Sequence, residues 1–262
     1  MKGLGKQTPS PFSFCTIEYR IVKNLLGQTS AVVTSLCPLP VIEEWEGMLV
    51  VRDDFLPGGT KQRVLPILMT GADEFVYASP VYGYAQVALA VCARTLNKKA
   101  TIFCAKRKER YRLTLRAEAE GAKIVEVSNG YLSVVQARAR DYCQAYGARL
   151  LPFGLDTPEF VEALADVAKA MPVKPREVWS VAASGVLTRS LQRAWPKAKF
   201  YGIRTGVEPH AGCAEVIQAP EKFEQDAKQP PPFPSCLNYD AKVWRFVKQR
   251  ASPGALFWNV AG

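Results

Sequence analysis

The sequence predicts an α/β protein built on parallel sheet, and three observations carry that expectation. From Glu74 onward, short apolar runs alternate with longer segments of helical periodicity, the order that βαβ units produce. Glycines stand where helices should stop, Gly121 and Gly147 among them. The chain has 262 residues, of which 48% are hydrophobic and 22% charged, a globular composition long enough for a core that needs no staples.

Residues 1–46 begin loosely, with apolar segments at 12–17 and 31–36 and a proline turn, Cys37-Pro38-Leu39-Pro40, of the kind that packs along a larger domain. Val50 to Leu65 reads as a strand, a Pro57-Gly58-Gly59 turn and a helix whose first turn carries Lys61. Strands are then expected at 74–79, 100–105, 123–128 and 148–154, with helices at 85–96, 108–120 and 131–146 between them. A helix at 159–170 is capped by Asp156 or Thr157 with Pro158 in its first turn. A strand at 177–184 leads into a helix from about Leu187, and 199–206 is a further strand. The stretch 219–235, with Pro230-Pro231-Pro232, reads as an irregular loop. A last helix at 241–250 and a strand over ALFWNV close the chain.

Several function classes lose ground on composition. No run of about 18 uncharged apolar residues exists, so no membrane span is expected, and the N-terminus lacks the apolar centre of a signal peptide. Seven scattered cysteines without metal spacing read as reduced, mostly buried thiols of a cytoplasmic protein. The single histidine, His210, lies in a Pro/Gly setting and reads as a loop residue, so a histidine triad or a multi-histidine metal site is hard to build, and no metal is expected. No nicotinamide fingerprint and no Walker A motif is present. The net charge of +10 favours an anionic partner. The densest basic run, Lys106-Arg107-Lys108 with Arg110, Arg112 and Arg116, is either a solvated helix face or a surface for DNA or another polyanion.

Four separated segments resemble, in order, the pyridoxal-phosphate (PLP) enzymes of the tryptophan-synthase-like fold, nearest the branch of D-cysteine desulfhydrase and 1-aminocyclopropane-1-carboxylate deaminase. Arg52, Asp53, Gly58, Gly59, Lys61 and Arg63 match the lysine-bearing signature, with Thr60 where the family usually has Asn. The resemblance implies that the Lys61 amine condenses with the PLP aldehyde and then serves as base or acid at the substrate α carbon. SPVYGYAQVALA (79–90) is similar to the element that contacts substrate, which implies substrate roles for Ser79, Tyr82 and Tyr84. Tyr82 stands where the family has the Asn that bonds the cofactor's 3′ oxygen, so its phenol either takes over that catalytic contact or the contact is absent.

VAASGVLTRSL (181–191) resembles the phosphate loop, assigning cofactor binding to Ser184, Gly185, Val186, Leu187 and Thr188. CLNYDAKVW and GALFWNVAG resemble the C-terminal motifs. They imply Tyr239 as a catalytic residue and Asp240 as the carboxylate against the pyridine nitrogen; alternatively Asp240 caps a helix starting at Ala241. Val260 replaces the threonine of the last motif.

The resemblance further implies two domains, each a mainly parallel twisted sheet flanked by helices, with the cofactor in the cleft between them. The expected division is a large PLP-binding domain from 1–65 and 156–262 and a small one from 66–155, in a homodimer. The favoured activity is that of a PLP-dependent lyase with α-carbanion chemistry, decarboxylation first. Its substrate is an amino-acid group, which basic charge and a segment between Arg204 and Asn238 shorter than the family's suggest is attached to a bulky anion such as a nucleic-acid base. The alternatives are a deaminase or desulfhydrase of a free small amino acid, and a non-catalytic nucleic-acid-binding relative.

Overall fold

The structure, a computed structural model, describes residues 18–23, 29–35, 37–128 and 130–262. An antiparallel ribbon of β1 (Glu18–Lys23) and β2 (Thr29–Ser35) comes first. The apolar segment expected at 12–17 lies outside the described residues except for its neighbour β1. Next are the antiparallel pair β3 (Ile42–Trp45) and β4 (Met48–Arg52) and a short helix, α1 (Thr60–Val64).

The regular alternation follows: β5 (Glu74–Ala78), α2 (Ala85–Thr95), β6 (Lys99–Ala105), α3 (Arg112–Ala119), β7 (Lys123–Val127), α4 (Leu132–Tyr146) and β8 (Arg149–Leu150). The remaining elements are α5 (Pro158–Lys169), β9 (Glu177–Ala182), α6 (Val186–Ala194), β10 (Lys199–Arg204), β11 (Glu215–Gln218), α7 (Trp244–Arg250) and β12 (Leu256–Asn259).

Two sheets organise the chain. One has the order β11-β10-β9-β12-β4-β3 and is parallel except for β3; the other, β7-β6-β5-β8, is wholly parallel. The α/β class with parallel sheets flanked by helices is therefore as expected. In the larger sheet β12, the last strand, pairs with β4 near the start, so both chain ends build its centre. All four residues of β12 are buried, which explains why LFWN is a continuous apolar run ending in one amide rather than an alternating pattern.

Helix α2 packs on β5 and β6 of the smaller sheet and against α1 and α3. Every residue from Ala85 to Ala93 is buried, and its small side chains let other elements approach from all sides, as a helix apolar all round requires. One apolar core consequently runs from Phe75 and Ile102 of the smaller sheet through Val87 and Leu89 to Trp179 and Trp258 of the larger. Helix α5 starts as expected: Pro158 is in its first turn and Phe160 N–H donates to Thr157 Oγ1 at 3.2 Å.

Three expectations are corrected. Helix α3 starts at Arg112, not Lys108, leaving 106–111 as a connection. The strand expected at 148–154 is two residues long, because Gly154 turns left-handed and a 3-10 turn follows. The closing helix begins with a 3-10 turn at Asp240–Val243, and Asp240 does not cap it by a side-chain bond. Among the described residues no helix is long and apolar enough to cross a membrane.

Candidate active site

A cavity of about 270 Å³ opens where the C-terminal ends of the strands of both sheets converge, the place where open α/β sheets bind ligands. Lys61 reaches into it from the first turn of α1. Gly59 adopts φ +64 there, and a β carbon would stand 2.5 Å from the Val260 carbonyl oxygen, so neither the conformation nor the space admits a side chain.

The signature around Lys61 is a buried clamp. Arg63 pairs with Asp53 at 2.6 Å, with both side chains almost fully buried. Thr60 Oγ1 donates to Asp53 Oδ2 at 2.7 Å, and Trp258 Nε1 donates to Asp53 Oδ2 at 3.0 Å and Thr60 Oγ1 at 2.8 Å. Thr60 is thus part of the network that fixes α1 to the central strand β12. Arg52 pairs with Asp54 at 2.8 Å and with Glu43.

The lysine itself is left alone. Among the described residues its amine has no ion pair or hydrogen bond, and desolvation lowers it from 10.5 to about 8. About a tenth of it is neutral at pH 7, the form that attacks carbonyl carbon.

Tyr84, Ser184 and Tyr239 line the same cavity. The Tyr84 hydroxyl lies 3.1 Å from the carbonyl oxygens of both Pro57 and Gly262, and Arg116 donates to the same two carbonyls at 2.9 and 2.8 Å. Burial raises the phenols of Tyr84 and Tyr239 and pushes Tyr77, which accepts from Gly154 N–H at 3.1 Å, up to about 12. All three stay protonated near neutrality.

The remaining expected site residues lie outside the cavity lining. Ser79 is buried and donates to the Pro80 carbonyl at 2.8 Å. The Tyr82 ring packs edge-on against Tyr111 at 4.8 Å and Phe223 at 6.0 Å, while its backbone carbonyl accepts from Asn238. Gly185, Val186, Leu187 and Thr188 form the turn into α6. Gly185 has φ +84, and a β carbon there would meet the His210 carbonyl oxygen at 2.0 Å. Thr188 is fully buried, with its hydroxyl 2.9 Å from Ser180 Oγ.

Asp240 adjoins the wall through Tyr239 and Val260. Its Oδ2 accepts from the backbone N–H groups of Val260 at 2.8 Å and Ala261 at 3.2 Å and from Ser235 Oγ at 3.2 Å. Oδ1 is buried with no partner. Burial lifts this carboxyl from 3.8 to about 7 against the lowering effect of the backbone donors.

The ionised form of the folded chain is therefore the penalised one, and this group's share of stability falls as pH rises from about 4 to about 7. Asp240→Asn should remove that slope, up to about 4 kcal/mol, from denaturant titrations of the cofactor-free protein. Parallel pH profiles for the two proteins would show that Asp240 ionises freely.

Sequence reasoning missed Thr205, Phe223 and Leu132, all on the cavity wall. Thr205-Gly206 after the apolar strand KFYGIR repeats the hydroxyl-glycine ending of Ser184-Gly185 after β9, a signal available in the sequence. Phe223 comes from the irregular stretch 219–235, and nothing in its composition pointed inward.

Half of the basic run is already engaged, Arg116 through the Pro57 and Gly262 carbonyls. Arg110 pairs with Glu118 at 2.6 Å and Glu126 at 3.2 Å, and Arg112 with Asp226 at 2.7 Å. Lys106, Arg107 and Lys108 remain exposed, and their side chains make no hydrogen bond or ion pair among the described residues.

No protein-family model matches the chain, and no curated protein does. Solved structures do. An ACC deaminase homologue superimposes with a TM-score of 0.70 at 14% identity, covering 82% of this chain and 84% of its own. Threonine deaminase isoform 2 from Solanum lycopersicum gives 0.64 at 10% identity, covering 85% and 83%. Diaminopropionate ammonia lyase from Escherichia coli gives 0.55 at 13% identity, covering 82% and 78%. At these identities the likeness is one of fold, and the chain accordingly has the tryptophan-synthase-like fold, fold type II, that the sequence resemblance implied.

Proposed function

We propose that this chain is a PLP-dependent lyase that labilises a bond at the α carbon of an amino-acid group. The observation that carries the reading is the Lys61 amine, alone in the cavity and lowered to about 8. A structural lysine is normally fully solvated or paired with a carboxylate; this one is only partly exposed, has no carboxylate partner and is poised as a nucleophile.

The surrounding residues fit PLP. The unpartnered, buried Asp240 Oδ1 is an acceptor without a donor, of the kind a protonated ring nitrogen satisfies. Ala183 and Ser184 form the wall of the cavity directly before the N-terminus of α6, a place that favours an anion such as the cofactor's phosphate. PLP, when bound, supplies an electron sink for the pair left on the α carbon.

The chain's own contributions are distinct. Lys61 would hold the cofactor through its aldehyde carbon, and its free amine would take or return the α proton. Asp240 would hold a proton at the ring nitrogen, and a neutral Tyr239 closes one wall. Helix α2 and Phe223 exclude water. The reading divides the chain into a large cofactor-binding part, 1–65 with 156–262, and a small part, 66–155.

Among reaction types, elimination with release of ammonia is supported by neighbours named deaminases and an ammonia lyase, which stand beside one named O-ureido-L-serine synthase. Decarboxylation of an amino acid carried on a nucleic-acid base, the first expectation from the sequence, becomes the second reading, motivated by the three cations Lys106, Arg107 and Lys108, whose side chains are unpaired among the described residues. They follow β6 directly, beside the β7–α4 turn: Lys106 N–H donates to the Val127 carbonyl at 2.9 Å, and Leu132 just beyond lines the cavity.

The test is reconstitution with PLP, followed by a screen of free amino acids and of DNA bearing aminoacylated bases for released ammonia or carbon dioxide. A visible absorbance band with ammonia from free amino acids supports the first reading. Carbon dioxide from the DNA substrate alone supports the second, and affinity for that DNA should then fall with salt at a log–log slope of about −2 to −3, as three neutralised phosphates require. Absence of the band after reconstitution would overturn both.

A further inference from the structure

We propose that Thr205 donates a hydrogen bond to the phosphate of the bound cofactor, replacing a hydroxyl that the α6 turn has withdrawn from the site. This rests on the cofactor reading above. In the sequence, the turn carries two hydroxyls that resemble phosphate-loop positions, Ser184 and Thr188. Only Ser184 lines the cavity, because the Thr188 hydroxyl is committed to Ser180 Oγ at 2.9 Å beneath the helix.

Thr205 occupies the complementary position on the neighbouring strand. Arg204 of β10 stands opposite Ala182 of β9, so Thr205 falls beside Ala183 at the next step, and its N–H donates to the Ala182 carbonyl at 3.3 Å. The residue is 1% exposed and lines the same cavity as Ala183, Ser184 and Gly206. Its Oγ1 is buried and has no hydrogen-bond partner. A buried hydroxyl without a partner costs stability, and a ligand oxygen that accepts from it removes that cost. The N-terminus of α6, a nine-residue helix, begins directly after Ser184, and the positive end of its dipole favours an anion there.

The experiment titrates the cofactor-free protein with PLP, pyridoxal and inorganic phosphate, followed by tryptophan fluorescence, for wild type, Thr205→Val and Thr205→Ser. Thr205→Val keeps the shape and removes the donor; it should weaken PLP and inorganic phosphate roughly 10- to 100-fold and leave pyridoxal unchanged. Thr205→Ser should retain near wild-type affinity for all three. The melting temperature of cofactor-free Thr205→Val should equal or exceed that of wild type, since an unsatisfied group has gone, and this separates a lost contact from a damaged fold.

Wild-type affinity of Thr205→Val for PLP and phosphate overturns the proposal. So does an equal loss for pyridoxal, which would place the hydroxyl against the ring or a substrate carboxylate. Should wild type bind inorganic phosphate but not PLP, the cofactor reading falls while the anion contact is still judged by the valine variant. Binding of neither ligand ends both.

Discussion

Lys61→Met is expected to yield a protein that is colourless after PLP reconstitution and dialysis, turns over amino-acid substrates at least about 10²–10⁴-fold more slowly, and is more stable than wild type without cofactor. The two effects have one origin. Desolvation lowers the folded amine to about 8 from 10.5, so the folded chain holds that proton less tightly than the unfolded chain does. The resulting penalty is full below about pH 8 and disappears above about 10.5. Methionine keeps the apolar stem and carries no charge, so the variant should gain about 1–3 kcal/mol at neutral pH, a range that allows for the side chain's partial exposure. Activity and stability moving in opposite directions is the signature of a residue held for chemistry. A retained absorbance band in Lys61→Met would sink the assignment, and a variant less stable than wild type below pH 8 would sink the account of its amine.

Arg63→Ala should be the most destabilising single change in the clamp, costing about 3–5 kcal/mol in denaturant unfolding. Arg63 is 3% exposed and Asp53 is fully buried. Removing the guanidinium leaves the Asp53 carboxylate with only the Thr60 hydroxyl and the Trp258 indole for support. A lone buried charge is far more costly than the pair it came from, so the double change Asp53→Leu with Arg63→Met should recover most of the loss. Because the same network anchors α1, Arg63→Ala should also release Lys61 from its desolvated position and raise the pH at which it reacts with aldehydes. A loss below about 1 kcal/mol would show that the pair is not the anchor.

The strand-turn-helix around Lys61 was legible in the sequence, and so was the alternation from Glu74 onward, because both are written locally. Gly58-Gly59 marks the close approach, and helical or strand periodicity shows within a dozen residues. Strands β3 and β11 were not legible. IEEW and EVIQ carry charges on short edge strands whose pairing, with β4 and β10, supplies the order that their composition does not.

Which groups of the candidate site are free to act was decided by the tertiary structure alone. Thr188 and Thr205 look alike as hydroxyls after apolar strands, yet one is bonded to Ser180 and the other has no partner. Lys106, Arg107 and Lys108 look no different from Arg110, Arg112 and Arg116, yet only the first three are unpaired. Tyr82 occupies a family motif position but turns its ring into a cluster with Tyr111 and Phe223. The sequence by itself determined the α/β class, the lysine turn and the residue types gathered near it. The partners of those residues come from segments up to about two hundred positions away, as Trp258 does for Thr60, and burial and pairing, which set both pKa and reactivity, exist only once those segments meet.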